Sequence, residues 1–240
     1  MSSKRSNARK TPISSNGSNV HHLPRPFNLR DISPMTIAQK EVFKYYRAGK
    51  NLFLTGSAGT GKTFLALYLA LREQKDSLDS DIPLQVVVVR SAVATRDIGA
   101  LPGDITEKCD PYESVYSSMC AELYGDSKAY NRLKGDGTVK FVPTSYIRGT
   151  TISNAIIIVD EYQNLSGHEL DSIMTRPGKN SKIIFCGDHS QSDLSKEVDR
   201  KGAKIFEEII ERMKSFEVID FHPEDIVRSG LVKEYLLTKG

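Results

Sequence analysis

Apolar residues recur along the chain in two alternating patterns. Short runs read as strands: NLFLT (51–55), QVVVVR (85–90), TVKFVP (138–143), AIIIVD (155–160), KIIFCG (182–187) and FEVIDF (216–221). Several are apolar at almost every position, as expected of strands covered on both faces. Between them lie stretches with helix-like spacing: 35–50, 62–74, 111–124, 166–175, 202–213 and 223–237. In the first, Ile37, Val42, Phe43 and Tyr46 fall near one face and Gly49 supplies a stop. Strands alternating with helices predict an α/β fold, a doubly wound domain whose mainly parallel sheet carries helices on both faces. KGDG (134–137) reads as a turn leading into a strand, and no internal repeat is visible.

Composition adds a boundary. Residues 1–30 hold Lys4, Arg5, Arg9, Lys10, Arg25 and Arg30 with no acid, while the rest of the chain carries three more acidic than basic groups. The basic excess behind the overall charge of +3 therefore belongs to a Ser/Asn/Pro-rich segment that cannot bury a core. The expected organisation is a basic, disordered tail over 1–34 and a folded domain over 35–240. Such a tail either neutralises nucleic-acid phosphates or is merely a soluble leader. Cys109, Cys120 and Cys186 form no CxxC pair and suit reduced thiols in packed positions. Apolar runs such as AIIIV (155–159) are too short to span a bilayer, and the N-terminus lacks an apolar signal region. A cytoplasmic location is expected.

The octet GSAGTGKT (56–63) interrupts the pattern between the first strand and the helix-like FLALYLALRE (64–73). Three glycines there weaken both neighbours, so the arrangement needs a reason other than stability. It fits the P-loop spacing G-x-x-x-x-G-K-[ST] in the required context, strand before and helix after. In that reading Gly56, Ser57, Ala58, Gly59, Thr60 and Gly61 wrap the backbone round phosphate, and the positive end of the following helix adds to the field. Lys62 reaches the β- and γ-phosphates, and the Thr63 hydroxyl binds Mg²⁺.

A second carboxylate for the metal is expected at another strand end, and AIIIVDEYQ (155–163) supplies Asp160. Glu161 beside it suits the activation of an attacking water. A small-molecule phosphotransferase would waste ATP with such a group in place, so that class is disfavoured. A third strand ends in GDHSQSDL (187–194), where Asp188 and Gln191 suit sensing of the γ-phosphate. Gln39, on the helix before the first strand, offers a donor and an acceptor that match the adenine edge and favour ATP over GTP. DRKG (199–202) lacks a preceding apolar strand, and the chain has no N-K-x-D motif, so a GTPase is rejected.

These residues resemble the PhoH family, RecA-like P-loop ATPases related to the first domain of superfamily 1 helicases. The resemblance runs from about Thr36 to Tyr235. It is carried by the P-loop, by VVVVRSAVATRDIGALPGDITEKCDPY (86–112), by TSYIRGTTISNAIIIVDEYQN (144–164), and by TRPG (175–178), GDHSQSDL (187–194) and EDIVRSGLV (224–232) in order. Ser91 stands where many members have proline, and Tyr162 where alanine is common. The resemblance implies a single RecA-like P-loop NTPase domain, ATP hydrolysis, association with RNA or single-stranded nucleic acid, and homo-oligomers that are often rings, a hexamer among them. With about 35 residues ahead of the core, no nuclease-type domain is expected there.

A two-domain helicase takes its arginine finger from its second domain. With no room for one here, a neighbouring subunit would supply it, or hydrolysis would be slow. Candidates are Arg228 first, then Arg148 and Arg176. Arg90, Arg96, Lys108, Tyr112 and Tyr146 are candidate nucleic-acid contacts across the top of the sheet, mixing charge with stacking surface. The leading expectation is a helicase-like ATPase that remodels RNA or single-stranded DNA. The alternative is a slow, ATP-controlled oligomeric switch.

Overall fold

The computed structural model describes residues 27–91 and 105–239. Six strands form one sheet: β1 (Asn51–Gly56), β2 (Gln85–Arg90), β3 (Val139–Pro143), β4 (Ala155–Asp160), β5 (Ser181–Cys186) and β6 (Phe216–Phe221). Their order is β3-β2-β4-β5-β1-β6, and every pairing is parallel. The helices are α1 (Ile37–Arg47), α2 (Lys62–Asp76), α3 (Ile105–Tyr124), α4 (Ala129–Gly135), α5 (Gly167–Met174), α6 (Glu197–Glu211) and α7 (Gly230–Lys239).

Period-two alternation sends each strand's side chains to opposite faces. Leu52, Leu54, Val86, Val88, Ile156, Ile158 and Ile184 join one core with α1, α2, α3 and α4. Phe53, Val87, Val89, Ile157, Val159, Ile183 and Phe185 join a second core with α5 and α6. Both faces are therefore covered, which explains the near-continuous apolar runs. The chain passes from β1 to β2 across the places later filled by β5 and β4. That reversal opens a crevice at the strands' C-terminal ends, where open α/β sheets bind ligands.

Four expectations need correction. Packing begins before residue 35: Phe27 stacks on Tyr124 at 4.4 Å between ring centroids, Leu29 is buried, and the Arg30 backbone N–H donates to the Leu123 carbonyl. Apolar residues inside a basic stretch give this segment its anchor. The helix expected over 223–237 is instead one tight turn, Pro223–Asp225, followed by α7 from Gly230. Asp225 accepts from the His222 backbone N–H and ends that turn. The helix expected from residue 111 begins at Ile105, with Pro111 inside it. The KGDG sequence closes α4, a helix not anticipated, before the turn into β3. Among the described residues, no helix is long and apolar enough to cross a membrane.

Candidate active site

The sheet's C-terminal edge gathers the predicted phosphate chemistry into one cavity of about 330 Å³. It is lined by Ala58, Gly59, Gly61, Lys62, Thr63, Asp160, Glu161, Asp188, Gln191, Arg90 and Arg228 among others. The P-loop leaves β1 at Gly56, whose φ of 99° lies in the glycine-favoured region. A Cβ there would stand 2.2 Å from the Phe221 carbonyl oxygen of β6, so a side chain is barred on both counts. Thr60 Oγ1 donates to the Ser57 carbonyl at 2.9 Å and tightens the loop. α2 then starts at Lys62 with Gly61 as its N-cap, so the helix's N-terminus, whose first N–H groups lack intrahelical acceptors, directly follows the loop.

Lys62 is buried, and its ammonium donates to the Gly56 and Ser57 carbonyls, both at 2.8 Å. Burial pushes its pKa down, against the pull of Asp188, Glu161 and Asp160. An anionic ligand would favour the charged form. Thr63 Oγ1 donates to Asp160 Oδ1 at 2.7 Å, joining the start of α2 to the end of β4. This hydroxyl–carboxylate pair is the donor set expected of a Mg²⁺ site, hard oxygens completed by phosphate and water. The residues therefore fit the ion. Asp160 has a further partner that the sequence does not disclose: Tyr116 of α3 donates its hydroxyl to Oδ2 at 2.7 Å. Arg90 Nη1 lies 3.7 Å from the same oxygen.

Glu161 adopts φ 54°, ψ 44°, a left-handed conformation unusual for a side-chain-bearing residue. It turns the chain sharply after β4. Its Oε2 accepts from Gln163 Nε2 at 2.5 Å. Gln163 is buried, and its Oε1 accepts from the Asp188 backbone N–H at 3.0 Å. Asp188 in turn accepts from Gln191 Nε2 at 2.7 Å and from the Ser190 hydroxyl at 2.6 Å. Burial would raise the Asp188 pKa, but the Ser190 hydroxyl, the Gln191 amide, the Ser190 N–H and nearby Lys62 outweigh it and hold the carboxyl below its usual range. Gln163 is a site residue absent from the sequence-based set, although its place two residues after Glu161 is an available signal. Tyr162, at the alanine position, is fully buried; its hydroxyl lies 2.8 Å from Thr55 Oγ1 and its ring packs on Phe53.

The remaining candidates fall in three places. Gln39 is buried and both ends of its amide are engaged: Nε2 donates to the Thr60 carbonyl at 3.0 Å and Oε1 accepts from the Met35 N–H at 2.8 Å. It braces the P-loop and also borders an adjoining cavity of about 530 Å³ with Ile32, Met35, Phe64 and Val227. Arg228 lies in its own chain's site: a Cβ on Gly59 would stand 3.0 Å from Arg228 Cγ, and the Val227 N–H donates to the Gly59 carbonyl. A neighbouring subunit is not needed to bring this arginine to the cavity. Arg176 spends its guanidinium on the Ser172 and Thr150 carbonyls and on Thr175 Oγ1, and Arg148 is exposed in the turn after Ile147; neither lines the cavity.

Of the nucleic-acid candidates, Arg90 sits inside the phosphate cavity instead, its guanidinium 5.9 Å from the Tyr112 ring centroid. Tyr112 is half-buried against the first core. Tyr146 is 55% exposed, as a stacking surface would need. Arg96 and the side chain of Lys108 lie outside the described residues.

A family model described as PhoH-like protein matches residues 31–238. The chain is 33% identical over 209 residues to the PhoH-like protein of Bacillus subtilis (strain 168), covering 86% of this chain and 63% of that one. It is 33% identical over 215 residues to Protein PhoH of Escherichia coli (strain K12), covering 86% and 58%. It thus spans roughly three fifths of the length of these relatives. Among solved structures it resembles the large terminase of a thermophilic bacteriophage, at 14% identity and a TM-score of 0.48, over 85% of this chain and 50% of that one. With the family model covering most of its length and the relatives agreeing, the chain belongs to the PhoH family.

Proposed function

We propose that the protein is a magnesium-dependent ATPase whose hydrolysis is coupled to RNA or single-stranded nucleic acid. The single observation that carries the ATPase reading is the convergence of three strand ends on one cavity: Lys62 and Thr63 after β1, Asp160 and Glu161 after β4, Asp188 and Gln191 after β5. Lys62 and the loop N–H groups bind phosphate charge. Thr63 and Asp160 would hold Mg²⁺, which when bound neutralises charge on the terminal phosphates. Glu161 accepts the proton of the attacking water as its oxygen bonds to the γ-phosphorus and the bond to the β-phosphate oxygen breaks. Asp188 holds the Gln191 amide where it can sense the γ-phosphate or orient that water.

The adjoining cavity beside Gly59 and Phe64 suits the nucleoside. Gln39 keeps one amide N–H and one oxygen lone pair beyond its bonds to Thr60 and Met35, and these are what its expected reading of adenine would use. The polymer reading is supported by the basic excess in residues 1–30, by exposed Tyr146 and by membership of the family. The second reading, an ATP-controlled oligomeric switch, is favoured by the apolar exposure of α7: Leu231 is 80% and Tyr235 63% exposed. ATP turnover measured with and without RNA on size-resolved protein tests both. Stimulation by RNA supports the coupled ATPase. Slow turnover indifferent to RNA but dependent on assembly supports the switch. No ATP binding at all overturns the ATPase reading.

A further inference from the structure

Among the described residues, two arginines line the cavity, and they stand on different sides of it. Arg228 packs on Gly59 and borders both the phosphate cavity and the adjoining one. Arg90 stands with the metal-side groups. It is the last residue of β2, next to β4 in the sheet, and Val89 pairs with Val159, so Arg90 and Asp160 emerge at the same edge. Its side chain is 22% exposed, and its guanidinium lies over Tyr112 and approaches Asp160 Oδ2 only to 3.7 Å. That is attraction without a hydrogen bond to Asp160, and the same guanidinium also meets the Tyr116 hydroxyl. The buried Asp160 carboxylate already has hydroxyl donors, Thr63 on Oδ1 and Tyr116 on Oδ2. Arg90 supplies charge to the carboxylate rather than its hydrogen-bond geometry.

We propose that Arg90 is a cis arginine for the terminal phosphate, attracted to Asp160 in the free protein and turned toward the γ-phosphoryl group when a magnesium–nucleoside triphosphate is bound. This rests on the ATPase reading above. With Asp160 engaged on a cation, the attraction that holds Arg90 weakens. A triphosphate also brings one more negative charge than a diphosphate. That charge falls on the side of Asp160, Glu161 and Gln191, because the P-loop and the start of α2 take the inner phosphates. Arg228, on the Gly59 side, serves triphosphate and diphosphate alike. The site thus holds its own arginine for the transferring group, without a second domain or a neighbouring subunit.

Calorimetric binding of ATP and of ADP, each with Mg²⁺, to Glu161→Gln protein tests this without turnover. Adding Arg90→Ala should raise the ATP Kd about tenfold or more while leaving the ADP Kd within about twofold. Adding Arg228→Ala should raise both together. Arg90→Gln keeps much of the side chain's length and gives the same comparison if the alanine variant does not fold. Equal weakening of ATP and ADP would make Arg90 a support for Asp160 only and overturn the proposal, as would unchanged affinity for both. If folded Glu161→Gln protein binds neither nucleotide, the ATPase reading itself fails.

Discussion

Glu161 and Asp188 are tied together through one buried amide. Gln163 donates to the Glu161 carboxylate at 2.5 Å and accepts from the Asp188 backbone N–H at 3.0 Å. The two residues leave different strands, β4 and β5, so the link joins the proposed water-activating group to the turn proposed to sense the γ-phosphate. Gln163→Leu should leave ATP affinity within about threefold and lower kcat about tenfold or more, because a small misplacement of a catalytic group is costly. Steady-state turnover beside equilibrium binding checks it; unchanged kcat would remove Gln163 from the site.

Gly187 marks how closely β5 approaches that link. A Cβ there would lie 2.3 Å from Gln163 Oε1 and 2.6 Å from the Tyr162 ring. Both neighbours are buried, so neither can swing into solvent. Gly187→Ala should destabilise the fold by about 1–3 kcal/mol through overpacking. Urea unfolding of the two proteins measures it; equal midpoints would contradict the packing described.

Tyr116 holds the second oxygen of Asp160. Tyr116→Phe keeps the ring but removes that donor. The Mg²⁺ concentration needed for half-maximal turnover should rise about tenfold, as for other groups that orient a metal-binding side chain. A magnesium titration of the ATPase reads it, and an unshifted midpoint would confine Tyr116 to packing.

The Asp188 carboxyl is held below its ordinary value of 3.8 in the folded protein. A carboxylate with a depressed folded pKa binds fewer protons than its unfolded counterpart, so it adds stability that is present above the unfolded value and lost as pH falls through the folded one. Compared with Asp188→Asn, the native protein should gain most at neutral pH, and the gap should narrow below 3.8. Urea unfolding across that range measures it; a gap independent of pH would contradict this assignment of charge.

The strands and the P-loop are legible in the sequence because their signals are local. An apolar run with a polar residue at its end places Asp160 and Asp188 without knowledge of the rest of the fold. The segment 27–34 is not, because it continues a basic tail and only the folded structure shows Phe27 stacked on Tyr124 of α3 and Leu29 in the first core. Arg228 is legible as an arginine of interest, but its position beside Gly59 depends on the turn at Pro223–Asp225 and the path into α7. Arg90 reads as a polymer contact because a strand-end arginine gives no direction. Its direction comes from the neighbouring strand β4. Tyr116 has no sequence signal: a helical tyrosine 44 residues from Asp160 reads as core until the sheet is assembled.

The most direct test is to incubate Glu161→Gln protein with ATP and Mg²⁺, recover it, and identify the nucleotide it carries. Intact ATP retained on the protein, where native protein releases ADP and phosphate, is the predicted result. ADP formed at the native rate, or recovered protein carrying no nucleotide at a saturating concentration, would contradict the account.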